Sequence, residues 1–82
     1  MRSWGAYVIG EIETSVGRRD RAEQHYRQAL AADADYALAH AGLGSIFAFR
    51  YIARARREDL AQAIVHLERA IALDPELAEP YQ

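Results

Sequence analysis

The chain is predicted to be all-α, built from antiparallel helix–turn–helix repeats: four helices plus a C-terminal helical stub. Three observations carry that expectation. The stretch from Ala22 to Leu30 (AEQHYRQAL) returns from Ala63 to Ile71 (AIVHLERAI), 41 residues later. Upstream, Ile9-Gly10 returns as Leu43-Gly44 at a separation of 34. Finally, 17 of the 82 residues are alanine and no strand-like alternation is present, which favours closely approaching helices. A repeat with two periods means that one inter-helix segment has grown by seven residues. Repeated helix pairs build interaction surfaces, whereas active sites rarely come in copies.

The first helical pattern runs from about Ser3 to Ser15, with Trp4, Tyr7, Val8, Ile9 and Ile12 as its apolar positions. Gly17 stops it, because glycine readily takes the left-handed conformation after a helix end. Asp20 is expected to cap the second helix, with Glu23 three residues on completing a capping-box pair. That helix runs to about Ala32, with Ala22, Tyr26, Ala29 and Leu30 on one face, and residues 33–35 turn out of it. The third helix opens near Tyr36 and extends to about Ala55 as the longest of the chain. Asp59 with Gln62 offers another cap, and a fourth helix follows to about Ala72. Its Leu60, Ile64, Leu67 and Ile71 are spaced four, three and four apart, a single apolar stripe. Asp74-Pro75-Glu76 reads as the start of a fifth helix, with Asp as N-cap and Pro at the first helical position.

Bulk composition narrows the function classes. Eighty-two residues allow one small domain, spanning 1–82, which buries only about 60% of its unfolded surface. Half the residues are hydrophobic (51%) and 27% are charged, which argues against disorder. The absence of cysteine removes disulfides and thiolate metal sites. A net charge of -2 gives no global bias toward nucleic acid or membrane. All ten basic residues are arginine, which with so much alanine is read as the base composition of the source genome. No apolar run reaches membrane-span length. The faint signal-like start is ended by Glu11 and Glu13, so a cytoplasmic protein is expected.

Gly10, Gly17, Ala22, Tyr26 and Ala29 fall in a small, turn, small, large, small order. In the second unit, Leu43, Gly44, Phe47, Ala63, Ala70 and Pro75 follow suit. In this order and in the 34-residue first unit the chain resembles the tetratricopeptide repeat (TPR) family, whose unit is a 34-residue pair of antiparallel helices. The resemblance implies a fragment of a right-handed superhelix. Residues 3–36 form repeat 1, residues 37–77 repeat 2 with an extended first helix, and residues 78–82 the start of repeat 3. There are departures: Ala6 sits at the usual aromatic position with Trp4 two residues before it, Glu13 replaces an aromatic, and Ala34 replaces the closing proline. From Phe47 to Ala63 is sixteen residues where the family's spacing gives nine. The seven extra residues amount to two helical turns, about 10 Å, and restore nearly the same facing. They are expected to project beyond the rim and to carry Arg50, Tyr51, Arg54, Arg56 and Arg57.

Candidate chemistry is sparse. His25 and His66 are repeat equivalents and are expected at surface positions; no further ligands converge with them, so no metal is expected. His40 is expected to be partly buried and hydrogen-bonded near the hairpin interface. Only Ser3, Thr14, Ser15 and Ser45 offer hydroxyl nucleophiles, and no nucleophile elbow is readable. Gly42 and Gly44 lie inside a helix and serve packing, not phosphate binding. No catalytic residue and no cofactor is expected. Arg50, Arg54, Arg56 and Arg57 form a basic rim, with Arg18, Arg19 and Arg21 at the corresponding turn of the first unit. The favoured reading is a solvated rim paired with Glu58, Asp59 and Asp20.

The resemblance places partner binding on the concave face, lined by the first helix of each pair. Carried over by position, that gives Trp4, Tyr7, Glu11 and Thr14, then Leu38, Ala41, Ser45 and Phe49. The basic and asparagine clamp by which part of the family holds a terminal carboxylate has no counterpart here. An aromatic, apolar groove is expected, suited to a hydrophobic peptide, an amphipathic helix or another copy of the chain. The expected function is therefore a non-enzymatic protein-interaction scaffold that forms a homo-oligomer in isolation. Two alternatives remain: a basic rim that binds nucleic acid or phosphate, and a regulatory segment of a larger bacterial signalling enzyme.

Overall fold

The computed structural model describes residues 3–78. It contains four α-helices, α1 (Ser3–Ser15), α2 (Arg19–Ala32), α3 (Ala37–Arg54) and α4 (Arg57–Leu73), and then a 3-10 turn at Pro75–Ala78. Among the described residues there is no strand, and the all-α class holds. The main packing partners are α1 with α2 and α3 with α4, and the two hairpins meet through α2 and α3. The fifth helix expected to open at Pro75 is a 3-10 turn over Pro75–Ala78, and the rest of the expected helix lies outside the described residues.

The seven additional residues are shared between both helices of the second hairpin. The third helix has 18 residues against 13 in α1, and α4 has 17 against 14 in α2. The turn joining them is one residue shorter, because Ala55 turns the chain alone in the left-handed conformation (φ +55°) and its N–H bonds the Tyr51 carbonyl at 2.7 Å. At the first hairpin Gly17 does this at φ +83°, as expected. Alanine in that conformation costs about 1–2 kcal/mol more than glycine.

Two capping expectations fail. Both α2 and α4 start earlier than predicted, behind Arg18 and Arg56, and neither has a side-chain cap. Asp20 therefore lies inside the first turn of α2, where its carboxylate reaches Arg50 on α3 at 2.8 Å. Asp59 likewise sits in the first turn of α4, beside Glu58, as favourable charge at the helix N-terminus. At the opposite end of the hairpins the punctuation works as read. Asp33 accepts from the Asp35 N–H at 3.1 Å, and its repeat equivalent Asp74 accepts from the Glu76 N–H at 3.2 Å.

The core is small and built on close approach. Tyr26 is buried between the hairpins, with Ala22, Leu43, Ile46, Phe47 and Ala63 around it. A Cβ at Gly10 would stand 2.7 Å from the Tyr26 ring, and one at Gly42 would stand 2.6 Å from it. Both glycines are needed because α1 and α3 press on the ring from two sides. The second hairpin repeats half of this joint: a Cβ at Gly44 would meet Leu67 at 2.6 Å. The equivalence of Gly10 with Gly44 and of Tyr26 with Leu67, read from spacing, is thus also a spatial equivalence.

Candidate partner-binding groove

Residues 7, 11 and 14 of α1 and 38, 41 and 45 of α3 are spaced by three or four, so each trio occupies one helix face. The fold sets the two faces side by side. Tyr7, Glu11, Thr14, Leu38, Ala41 and Ser45 line an open groove of about 210 Å³, with Tyr26 and Gly42 at its base. Six of the eight expected residues therefore meet in one place. Phe49 lies instead in a second hollow of about 220 Å³, with Gly17, Arg19, Asp20, Arg50, Ala53 and Arg54. Trp4 belongs to neither and is 69% exposed at the start of α1.

The groove is more polar than its sequence indicates. The Tyr26 hydroxyl donates to Glu11 Oε1 at 2.5 Å and stands 3.3 Å from the Thr14 hydroxyl, which itself bonds the Gly10 carbonyl at 2.9 Å. Burial, reinforced by the Glu11 carboxylate, pushes the Tyr26 phenol well above its ordinary range, so it stays a neutral donor. The same two causes raise Tyr7. Tyr7 stacks obliquely on Tyr26 at 5.9 Å and edge-on to Tyr36 at 5.6 Å. The result is a rigid aromatic floor carrying one exposed carboxylate and several hydroxyls. Both hollows fall below the roughly 300–1,000 Å³ typical of small-molecule sites. Side chains of a peptide or helix fit them better.

The basic rim divides. Arg50 does not project; its guanidinium bonds Glu23 at 2.6 Å and Asp20 at 2.8 Å and leans over the Phe47 ring. Burial opposes charge on both Arg50 and Glu23. Their mutual hydrogen bonds outweigh it, with Asp20 and Arg27 adding to them, and hold the arginine above and the glutamate below their ordinary ranges. This ties α3 to α2. At the start of α2, Arg19 lies 3.5 Å over the ring of Phe49 on α3, a cation–π contact that covers one face of that aromatic. Arg54, Arg56 and Arg57 are exposed.

The histidines are less exposed than expected. His25 pairs with Glu13, a buried carboxylate whose Oε1 makes no well-directed hydrogen bond. His25 Nδ1 also faces the Arg21 carbonyl at 3.0 Å; with acceptors on both sides, Nδ1 carries the proton. In the second hairpin His66 is stacked between Phe47, its plane 3° away, and His40. His40 Nε2 donates to the Ala34 carbonyl at 2.9 Å, so neutral His40 offers Nδ1 as acceptor to His66 Nδ1 at 3.2 Å. The partly buried, hydrogen-bonded setting expected of His40 is present. Burial, then the nearby His40 and Arg27, lower the His66 pKa below 6.5. Sequence reading missed this stack, although the repeat relation of Glu13 to Phe47 and of His25 to His66 marked the positions.

Among the described residues no cluster of three or more His, Cys, Asp or Glu could hold a metal ion. No helix among them is long and apolar enough to cross a membrane. The fold and groove define a small all-helical protein of two stacked hairpins with a shallow mixed groove between their first helices. No protein-family model matches the chain, and neither the curated proteins nor the solved structures contain a match.

Proposed function

We propose that the chain is a non-enzymatic protein-interaction module of tetratricopeptide-repeat type, taking an extended peptide or one face of a helix in the α1/α3 groove. One observation carries the reading: six side chains drawn from two helices converge on a groove whose floor is a buried, doubly clamped tyrosine. A rigid floor lowers the ordering cost of binding, which is what a recognition surface needs. The exposed Glu11 carboxylate beside Leu38 and Tyr7 favours a ligand with an apolar anchor and a basic or amide donor next to it. Arg50 supports this reading over a polyanion-binding rim, because its charge is already matched by two carboxylates.

A peptide-library selection on the wild type tests the proposal. Selected peptides are expected to lose at least about tenfold in affinity for Ser45→Arg, which fills the groove, and to keep it for Gln62→Arg on the exposed side of α4. Equal binding to both variants would place the ligand elsewhere and reject the groove.

A further inference from the structure

The inner junction between the hairpins has a counterpart at each outer end of the molecule. Inside, α3 covers α2 through four kinds of contact. Ala39 packs with Ala29, and Gly42 lies against the Tyr26 ring. Ile46 joins Ala22 and Tyr26 in the core, and Arg50 bonds Glu23. The helix equivalent to α2 is α4, 41 residues on, and the helix equivalent to α3 is α1, 34 residues back. Each lacks the neighbour that its counterpart has among the described residues. Leu67 stands where Tyr26 stands, yet is 37% exposed, and Ile64 is 46% exposed. On α1 the residues at the covering positions include Ile12 and Val16, 58% and 61% exposed.

By repeat position, the residues of the two outer faces correspond to the partners of the inner junction. Ala39 and Ala29 correspond to Gly5 and Ala70, small and small, with Ala70 already buried within its own chain, so that a close approach meets no bulk there. Gly42 under Tyr26 becomes Val8 beside Leu67, an exchange that moves bulk from one helix to the other and keeps the joint filled. Arg50 against Glu23 becomes Val16 against Ile64. This last exchange says most: both partners of the inner ion pair are replaced, and both by apolar groups. Changing one alone would set a charge against a hydrophobic face. Val16 follows α1 directly and keeps the helical bond of its N–H to the Ile12 carbonyl at 3.2 Å, so it continues the α1 stripe.

We infer that the α4 face of one copy binds the α1 face of a second copy of this chain, head to tail, reproducing between molecules the α2/α3 junction within one. The contact is heterologous, so each added copy presents a fresh end, and growth continues unless the rotation closes a ring. It shares no residue with the groove, although α1 contributes to both, and it stands whether or not the groove binds a peptide.

Sedimentation across micromolar to millimolar protein, with circular dichroism to verify helicity, tests the contact. The wild type is expected to gain mass with concentration, while Val16→Arg and Ile64→Glu each stay monomeric over the same range. An equimolar mixture of the two variants regains association, because each supplies the intact end that the other lacks. A chain carrying both substitutions regains it through a copied Arg–Glu pair, now weakened by salt. Ser45→Arg leaves self-association unchanged. A wild type monomeric throughout, loss with Ile64→Glu but not with Val16→Arg, or a folded double variant that stays monomeric would each overturn the head-to-tail register.

Discussion

The two hairpins build the same joint and finish it differently. In the first, Tyr26 fills the space left by Gly10 and is roofed by Gly42 from the next hairpin, which leaves it 1% exposed. In the second, Leu67 fills the space left by Gly44 and has no such roof among the described residues. Beside each joint lies a second contrast. The first hairpin buries a carboxylate, Glu13, against His25; the second stacks Phe47, His66 and His40. Repeat position therefore sets where a side chain sits, while the neighbouring element sets how much it stabilises. A residue clamped from two sides and its equivalent clamped from one are different energetic objects.

The largest effect is expected at the joint. Tyr26→Ala removes a buried aromatic held by two helices and should cost about 3–5 kcal/mol. Leu67→Ala, at the equivalent place but part exposed, should cost about 1–2 kcal/mol. Urea unfolding, at a concentration where the chain is monomeric, measures both; equal losses would break the distinction between roofed and unroofed joints.

The turns give a smaller contrast. Gly17→Ala meets no atom within 4 Å, so its cost of about 1 kcal/mol is backbone strain at φ +83°. Ala55→Gly relieves the same strain at φ +55°, and after the added flexibility of the unfolded chain should gain a few tenths to about 1 kcal/mol. Thermal unfolding should move in opposite directions for the two variants. Movement in the same direction would show that the second turn is not strained.

The smallest effect is pH dependence from the His66 stack. Its pKa is lowered in the folded state, so the unfolded chain binds this proton more readily once pH drops below about 6.5. The stability tied to His66 is therefore complete above that value and is lost as pH falls through its lowered pKa. His66→Gln should flatten that part of the stability profile between neutral and mildly acidic pH. An unchanged slope would mean that the stack does not sense protonation.

Much of this was legible in one dimension. Apolar positions recurring every three or four residues located all four helices, and Gly17, Asp33 and Asp74 acted as read because a turn is decided by its own few residues. The groove was three-quarters legible, since a stripe on one helix face follows from helical geometry alone. Its polarity was not: Tyr26 sits on α2, outside both stripes, and only packing brings its hydroxyl to Glu11.

Asp20 and Arg50 mark the boundary between the two kinds of information. Local rules assigned Asp20 to a helix cap and also, with Glu58 and Asp59, to the counter-charges of a solvated rim that includes Arg50. The cap is absent, the pairing of Arg50 with Asp20 is present, and the share of Glu23 was not foreseen. In the fold Asp20 and Arg50 join Glu23 in one cluster across 30 residues of sequence. The sequence by itself determined where helices run and which residues share a face, because backbone periodicity and turn chemistry act over a few residues. Only the tertiary structure decided which faces are covered, which charges are matched and which equivalent positions remain open. Those depend on what another helix brings within a few ångströms, and no spacing along the chain encodes that distance.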